Sequence, residues 1–467
     1  MIKKLAFHQH IVMVGFGAMG KALLPLLLRH LDLKPAQFTL ITNDDENKEI
    51  ALEYGLDFRV NGLTSENHKK ILEPLLHSGD MLLNMSVDVS TVDLIKVCNA
   101  AGAMYLDLSI EPWAGVYLDP DLPTYERTNY VLRENTLALK DAVKPTAILT
   151  HGANPGLVSH LVKQALLNIA KDNDLEVATP KTSQDWARLS NSLGIKAIHV
   201  AERDTQIIDR PYNPKEFVNT WSVDGLINEG LQPAEIGWGT HERQLPALAS
   251  EYEFGCKAAI YLEKSGIDTK VRTWTPSLGA FHGYMITHAE TVTLANYLTL
   301  KEQEQVVYRP TVHYAYLPSP YAILSINQFI GSEYELPALK RVLLEEITEG
   351  YDELGVLLMG NKKGAYWYGS TLNIHEARAL APYNSATSLQ VVASALASIL
   401  WAIENPNKGL VEPEDIDYEY ILEIARPYLG TVSGHYTDWT PLDNRALLFD
   451  EELDKTDPWQ FSNIIVK

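Results

Sequence analysis

The chain has 467 residues, 46% of them hydrophobic, and 60 acidic against 39 basic side chains give it a net charge of −21. That length exceeds a single hydrophobic core and predicts two domains, while the negative charge excludes nucleic acid, whose phosphates it would repel. Only Cys98 and Cys256 occur, which leaves no disulfide framework and no cysteine-based metal site.

Met1-Ile-Lys-Lys has the basic start of a signal peptide, but His8, Gln9 and His10 break the apolar region that should follow. No apolar run reaches the length of a bilayer span. The nearest, Leu389 to Ile403, reads as a buried helix, so a cytoplasmic protein without a membrane partner is expected.

Ile11 to Val14 reads as a buried strand and runs into the pattern G-x-G-x-x-G at Gly15, Gly17 and Gly20. A helix follows, with Leu23, Leu24, Leu27, Leu28 and Leu31 on one face. The first glycine permits a tight turn, the second lets a pyrophosphate approach the backbone, and the third allows close helix–strand packing. The helix N-terminus offers free N–H groups to an anion. The spacing alone is a weak signal, and the alternative is a glycine turn that binds nothing; the strand before and the helix after supply the context a dinucleotide site requires.

Phe38 to Thr42 reads as the next strand, with Thr42, Asn43 and Asp44 as the candidates for a ribose contact and no arginine following, which favours NAD over NADP. Helix Asp45 to Tyr54, strand Phe58 to Val60, helix Ser65 to His77 and strand Met81 to Met85 continue an alternation that implies a parallel sheet. Ser86, Val87 and Asp88 follow at the carboxyl end of that strand, with Asp88 read first as a cap for helix Ser90 to Ala101. Strand Met104 to Leu108 ends in Ser109-Ile110-Glu111-Pro112-Trp113, at the same sheet edge. A helical segment Tyr125 to Val143 and strand Ala147 to Thr150 lead to His151-Gly-Ala-Asn-Pro-Gly156, where Asn154 and Pro155 stand at the mouth of the cleft before helix Leu157 to Ile169. His151 and His160 lack a third ligand, so no metal site is read there.

From about Asp172 the strands lengthen and carry acids and aromatics. Ile195 to Val200 runs into Glu202, Phe217 to Val223 carries Trp221, and helix Asp224 to Gly230 carries Glu229. Glu235 and Glu242 surround a Gly237-Trp238-Gly239 turn. Arg272 to Trp274, Tyr284 to His288 and Val306 to Tyr316 read as strands, with Glu290 two places after His288. Leu354 to Met359 and Ala365 to Leu372 read as a hairpin preceded by Asp352. A helix from Thr387 with Leu389, Val392, Leu396, Ile399, Leu400 and Ile403 on one stripe is expected to return to the first domain, and the tail from Pro413 reads as helix and loop.

An amine oxidised at a nicotinamide becomes an iminium cation, which carboxylates and an aromatic face stabilise. Glu202, Glu229, Glu235, Glu290, Asp352 and Trp221 are the second domain's supply. Trp221 could equally be core packing, and each acid taken singly is an ordinary surface group. His288 is a candidate proton shuttle or a histidine satisfied in the core. No G-x-S-x-G elbow and no cysteine–histidine signature support acyl transfer.

The segments VGFGAMG, LSIEPW, GANPGLVSHLVKQALL, HVAERDTQ, NTWSVDG, EGLQPAEIGWGTHE, THAE, VYRPTVHYAY, YDELGVLL, AYWYGS and DPWQF span the chain. Together they resemble the bacterial homospermidine synthases, a family related to saccharopine dehydrogenase-like reductases. The resemblance implies a Rossmann domain (1–157), a mixed α/β substrate and dimerisation domain (158–383), and a C-terminal return (384–467), hence an α/β fold and a homodimer. It implies NAD as a retained cofactor. One putrescine is oxidised to an imine, ammonia leaves, a second putrescine condenses, and reduction gives homospermidine with no net redox change. It also implies that Trp221, Glu202, Glu229, Asn154 and His288 serve catalysis and that Glu111, Asp88, Glu290 and Asp352 line the substrate pocket. Gly15, Phe16, Gly17, Met19, Gly20, Thr42, Asn43, Asp44, Ser86, Val87, Ser109, Asn154 and Pro155 would meet the cofactor. The alternatives are a net reductase of the same superfamily, whose carboxylate substrate would want a basic clamp such as Arg203 or Arg309, and a non-catalytic NAD-binding regulator.

Overall fold

The computed structural model describes residues 4–210 and 212–466. Its first sheet is parallel throughout, in the order Leu410–Val411, Ala147–Ile148, Met104–Asp107, Met81–Asn84, Ile11–Val14, Phe38–Thr42, Asp57–Val60. Six of its seven strands are buried along their whole length, all but the edge strand Asp57–Val60, because helices cover both faces of a parallel sheet and its strands are written as near-continuous apolar runs. Ile11–Val14 lies between Phe38–Thr42 and Met81–Asn84. The strand order reverses there, which opens a crevice at the carboxyl ends.

The second sheet has ten strands. Its main path runs Ala249–Glu251, Ala259–Ser265, Pro233–Gly237, Thr311–Leu317, Ala197–Asp204, Tyr351–Asn361, Gly364–Asn373, Thr431–Thr437, with Lys270–Thr275 and Gly279–Tyr284 attached at Thr311–Leu317. Helices Ala18–His30, Leu157–Asp172 and Ala386–Glu404 form a shared layer, and one continuous core joins them to Val200, Tyr314, Tyr316 and Leu354 on the face of the second sheet. Ala386–Glu404 is long and apolar enough to cross a membrane by length and composition, and 89% of its apolar window is buried against protein.

Several elements differ from the sequence reading. Helix Ser65 to His77 contracts to His68–Leu72. The segment Tyr125 to Val143 breaks into a 3-10 turn, Thr124–Arg127, and a helix, Asn129–Leu137, whose N-terminus is capped by the Thr128 hydroxyl and the Glu235 carboxylate. Val306 to Tyr316 is two strands, Gln305–Tyr308 and Thr311–Leu317, separated at Arg309-Pro310, where proline cannot donate to a ladder. The strand expected at Phe217 to Val223 is Glu216–Asn219, and Pro233–Gly237 is a strand where only a turn was read. The tail from Pro413 is not confined to helix and loop, since Thr431–Thr437 edges the second sheet, and just before it Leu410–Val411 adds an unread edge strand to the first.

Candidate active site

The three glycines occupy different environments. A Cβ on Gly15 (φ 87°) would lie 2.8 Å from the Met85 and Ser86 backbone, and one on Gly20 would lie 2.4 Å from the Gly15 carbonyl. A Cβ on Gly17 would meet nothing within 4 Å. Gly17 is also the N-cap of helix Ala18–His30, with no side chain capping it and no acid in the first turn. Open space before uncapped, dipole-biased N–H groups is the cradle a pyrophosphate needs. Asn47 holds the loop from outside, its Nδ2 donating to the Phe16 carbonyl at 3.0 Å. Phe16 itself turns inward, buried and edge-on to Phe58, so only its backbone faces the crevice. Met19 is half-buried beside it. Thr42 is buried with its carbonyl on the Asn61 N–H, whereas Asn43 and Asp44 are exposed, Asp44 accepting from the Glu46 N–H.

Ser86 and Val87 are half-buried at the same edge, and the Ser86 hydroxyl donates to Asn84 at 2.7 Å. Asp88 is not the expected helix cap. Ser90 caps Thr91–Ala101, and Asp88 (φ 61°) instead accepts from Asn228 Nδ2 at 3.2 Å while its N–H donates to Glu111 at 3.2 Å. Asn228 precedes Glu229 on helix Val223–Leu231, so one hydrogen bond ties the second domain's helix to the nucleotide-side loop. Asn228→Ala is expected to weaken dinucleotide binding about 2- to 10-fold, the net worth of one such bond; titration by fluorescence quenching checks it. Glu111 is buried, accepts also from Ser109 at 2.9 Å, and burial with Glu229 and Asp88 nearby pushes its carboxyl up to about 8.

Across the crevice the second sheet presents one face. Alternation and register put Tyr314 and Tyr316, Glu202 and Asp204, and Asp352 on that face of three neighbouring strands, with Tyr316 opposite Glu202 and Asp352 opposite Asp204. Glu202 accepts from the Tyr314 hydroxyl and from Asn154 Nδ2 at 3.2 Å. Asp204 accepts from Thr220 and from the Gln206 amide. Asp352 is fully buried and neither of its oxygens has a hydrogen-bond partner. Burial raises all three carboxyls above their usual range, and repulsion from neighbouring acids adds to it at Glu202 and Asp352.

His288 is neither at a strand end nor satisfied in an apolar core; it lies in the loop between Gly279–Tyr284 and helix Glu290–Tyr297. Its Nε2 is 3.0 Å from Glu229, its Nδ1 is 3.5 Å from Glu290 and 3.3 Å from Asn154 Nδ2, and the ring stacks on Tyr314 at 4.3 Å. Burial alone would lower this imidazole, but Glu229 and Glu290 outweigh it and raise it to about 10. Glu290 is fully buried with no hydrogen-bond partner for either oxygen, so the imidazolium is its counter-charge. Trp221, half-buried, donates its indole N–H to Tyr316 at 3.2 Å.

The expected acids, Asn154, His288 and Trp221 therefore converge, with Glu235 as the exception; Glu242, near it in sequence, is likewise engaged elsewhere. Glu235 is spent on the Asn129 and Tyr130 N–H groups and the Tyr252 hydroxyl, and Glu242 on Thr311 and the Phe461 N–H. Asp204, Tyr314 and Tyr316 were missed, although Glu202-x-Asp204 and Tyr314-x-Tyr316 carry the period of two that sets strand residues on one face. Arg203 projects to the opposite face towards Ser277 and Tyr351, and Arg309 is bonded to Thr299, Trp238 and Lys257. Among the described residues no group of three or more His, Cys, Asp or Glu has metal-holding geometry; His151 and His160 pair with each other at 3.0 Å.

The saccharopine dehydrogenase NADP binding domain model matches residues 11–148, and the saccharopine dehydrogenase C-terminal domain model matches 152–438. The homospermidine synthase of Mesorhizobium japonicum is 47% identical over 98% of this chain and 96% of its own length. This chain belongs to the homospermidine synthase family. The homospermidine synthase of Blastochloris viridis is likewise 47% identical, over 98% of this chain and 97% of its own. The crystal structure of the Legionella pneumophila homospermidine synthase in complex with NAD is 53% identical with a TM-score of 0.94, covering 100% of this chain and 99% of that one. Saccharopine dehydrogenase (L-Glu forming) from Saccharomyces cerevisiae, at 12% identity and a TM-score of 0.51, shares the fold, covering 92% of this chain and 100% of its own.

Proposed function

We propose that this chain is a homospermidine synthase that joins two putrescine molecules with loss of ammonia, holding NAD as a retained cofactor. The observation that carries the reading is an acid-lined, tyrosine-backed sheet face set opposite an uncapped glycine cradle, with both candidate arginines turned away. A substrate bearing carboxylates would find no arginine there and would face a wall of acids, whereas a diamine finds counter-ions.

The cradle at Gly15, Gly17 and Gly20 fits NAD, with Asn43 and Asp44 as the exposed groups for the ribose and Ser86, Val87, Ser109, Asn154 and Pro155 along the rest of the edge. When bound, NAD supplies the oxidation of the amine carbon and its later reduction. The chain's own groups do the remainder. Glu202, braced by Tyr314 and Asn154, holds an ammonium at the inner end, with Asp352 and Asp204 adding negative field. Glu111 and Asp88 offer the same at the outer end, and the Trp221 face stabilises a cation between them by about 0.5–2 kcal/mol. His288 holds a proton at Nε2 against Glu229, and its Nδ1 accepts from Asn154 when the ring is neutral or faces Glu290 when it is charged, which suits it to move a proton to the leaving amine.

Two ionisations frame the expected pH dependence. In the ligand-free protein Glu111 titrates near 8, so kcat/KM should rise through that pH and fall again as His288 loses its proton near 10. Both folded pKa values are raised, so the contribution of each group to stability is complete below its ordinary pKa and is lost as pH climbs through about 8 and about 10 respectively. Rate profiles and melting curves across pH 6–11, with Glu111→Gln removing the lower limb, check this. Two free cysteines without a disulfide support a cytoplasmic location, and the reading includes a homodimer, testable by light scattering. The function itself is tested with purified protein, putrescine and NAD: homospermidine with equimolar ammonia supports it, and NADH accumulating without a coupled product points to a net dehydrogenase.

A further inference from the structure

The indole of Trp221 is held by one polar contact, and its partner is unusual. Trp221 lies in the bend between strand Glu216–Asn219 and helix Val223–Leu231, outside any ladder that would fix its ring. Its Nε1–H donates to the Tyr316 hydroxyl at 3.2 Å, and on the other side a Cβ at Gly225 would come within 3.0 Å of Trp221 Cζ3, so helix packing limits how the ring can tilt. Tyr316 is fully buried in the middle of the second sheet and stacks on Tyr314 with ring centroids 5.4 Å apart and planes 10° from parallel. Tyr314 in turn is fixed by its bond to Glu202 and its stack on His288.

An indole N–H only donates, so the Tyr316 oxygen must act as acceptor towards Trp221, and its own O–H must find an acceptor elsewhere. The charged groups facing it are Glu202 and Asp204 on the strand to one side and Asp352 on the next strand; its own strand contributes Tyr314. Glu202 and Asp204 already accept several hydrogen bonds, while both Asp352 oxygens have none. A buried hydroxyl with a spare proton and a buried carboxylate with spare lone pairs share one sheet face.

We infer that Tyr316 is a positioning residue that fixes the plane of the Trp221 indole, being itself held by its stack on Tyr314 within the acid-lined sheet face. The inference rests on the proposed role of Trp221 as the face for the cationic intermediate. It adds that this face is aimed by a hydroxyl rather than by packing alone. A cation gains from a ring only when it sits over the face, so a ring free to tilt loses that gain while the pocket keeps its carboxylates.

Tyr316→Phe removes a single oxygen from a buried ring and preserves the stack. The expected result is a kcat for homospermidine formation lowered about 10-fold with the KM for putrescine changed less than about 3-fold, because the contact matters for the charge that develops during reaction rather than for the resting diamine. Independently of turnover, the Trp221 emission spectrum, taken as the difference between each protein and its Trp221→Phe counterpart, should change on Tyr316→Phe. In the Trp221→Phe background, Tyr316→Phe should add little further loss of kcat. An unchanged difference spectrum, or an equal loss of kcat in the presence and absence of Trp221, would overturn the inference. A native protein that makes no homospermidine would sink the proposed function but leave the spectral test standing.

Discussion

Glu202→Gln should lower kcat/KM for putrescine by at least about 30-fold and as much as about 10³-fold, following from the roughly 2–5 kcal/mol lost when one partner of a buried charge pair is removed. Glutamine keeps the shape and can still accept from Tyr314, so the loss reports the missing charge rather than a hole. The same variant should melt no lower than the native protein, and higher at neutral pH. Glu202, Asp204 and Asp352 crowd one buried face, where burial raises all three carboxyls and repulsion from neighbouring acids raises Glu202 and Asp352 further; removing Glu202 relieves that repulsion at Asp352. Steady-state kinetics beside thermal denaturation separates this outcome from simple unfolding, in which both quantities would fall. NAD affinity should change little, since Glu202 reaches the proposed cofactor edge only through its bond from Asn154.

The glycine loop offers a second large effect, in which two neighbouring substitutions fail for opposite reasons. Gly20→Ala places a Cβ 2.4 Å from the Gly15 carbonyl, backbone that cannot step aside. Overpacking of this kind costs about 1–3 kcal/mol, so the ligand-free protein should melt several degrees lower. A Cβ at Gly17 meets no protein atom within 4 Å, so Gly17→Val should cost little beyond valine's weaker N-cap preference, yet its branched side chain fills the space a pyrophosphate requires. The NAD-dependent rise in melting temperature should therefore disappear for Gly17→Val, with affinity down about 10²-fold or more, since ligand stabilisation follows RT ln(1 + [L]/Kd). Equal ligand-free destabilisation by both substitutions would show that the loop is packed differently.

The first sheet was legible almost residue by residue, except for its edge strand Leu410–Val411, which arrives from the far end of the chain. Phe38–Thr42 and Ile11–Val14 match the reading at both ends, because strands covered on both faces must be apolar throughout and glycine punctuates where they stop. The helix Ala386–Glu404 was equally plain from its stripe, and its packing on Ala18–His30 in the shared layer follows from having no polar face to show to water. What escaped was pairing between distant segments. Tyr314 and Tyr316 alternate visibly in the sequence, but only the parallel register with Ala197–Asp204 sets Tyr316 beside Glu202. Glu235 and Glu229 look alike as letters. One is spent on the backbone N–H groups that open helix Asn129–Leu137, and the other meets His288 at 3.0 Å, a difference no local pattern encodes. Asp88 was misread for the same reason: Ser90, two residues later, satisfies the helix, and the partner that occupies Asp88 lies in the other domain.

On the proposed reading this cleft couples two diamines by lending a hydride to a retained NAD and taking the same hydride back. Putrescine carrying deuterium on both amine-bearing carbons, incubated with the purified protein, NAD and an excess of unlabelled NADH, tests it directly by mass spectrometry of the product. The account predicts homospermidine that keeps all of its deuterium, with one ammonia released for each product. Product that has lost one deuterium to the unlabelled pool, or NADH that accumulates without homospermidine, would contradict it.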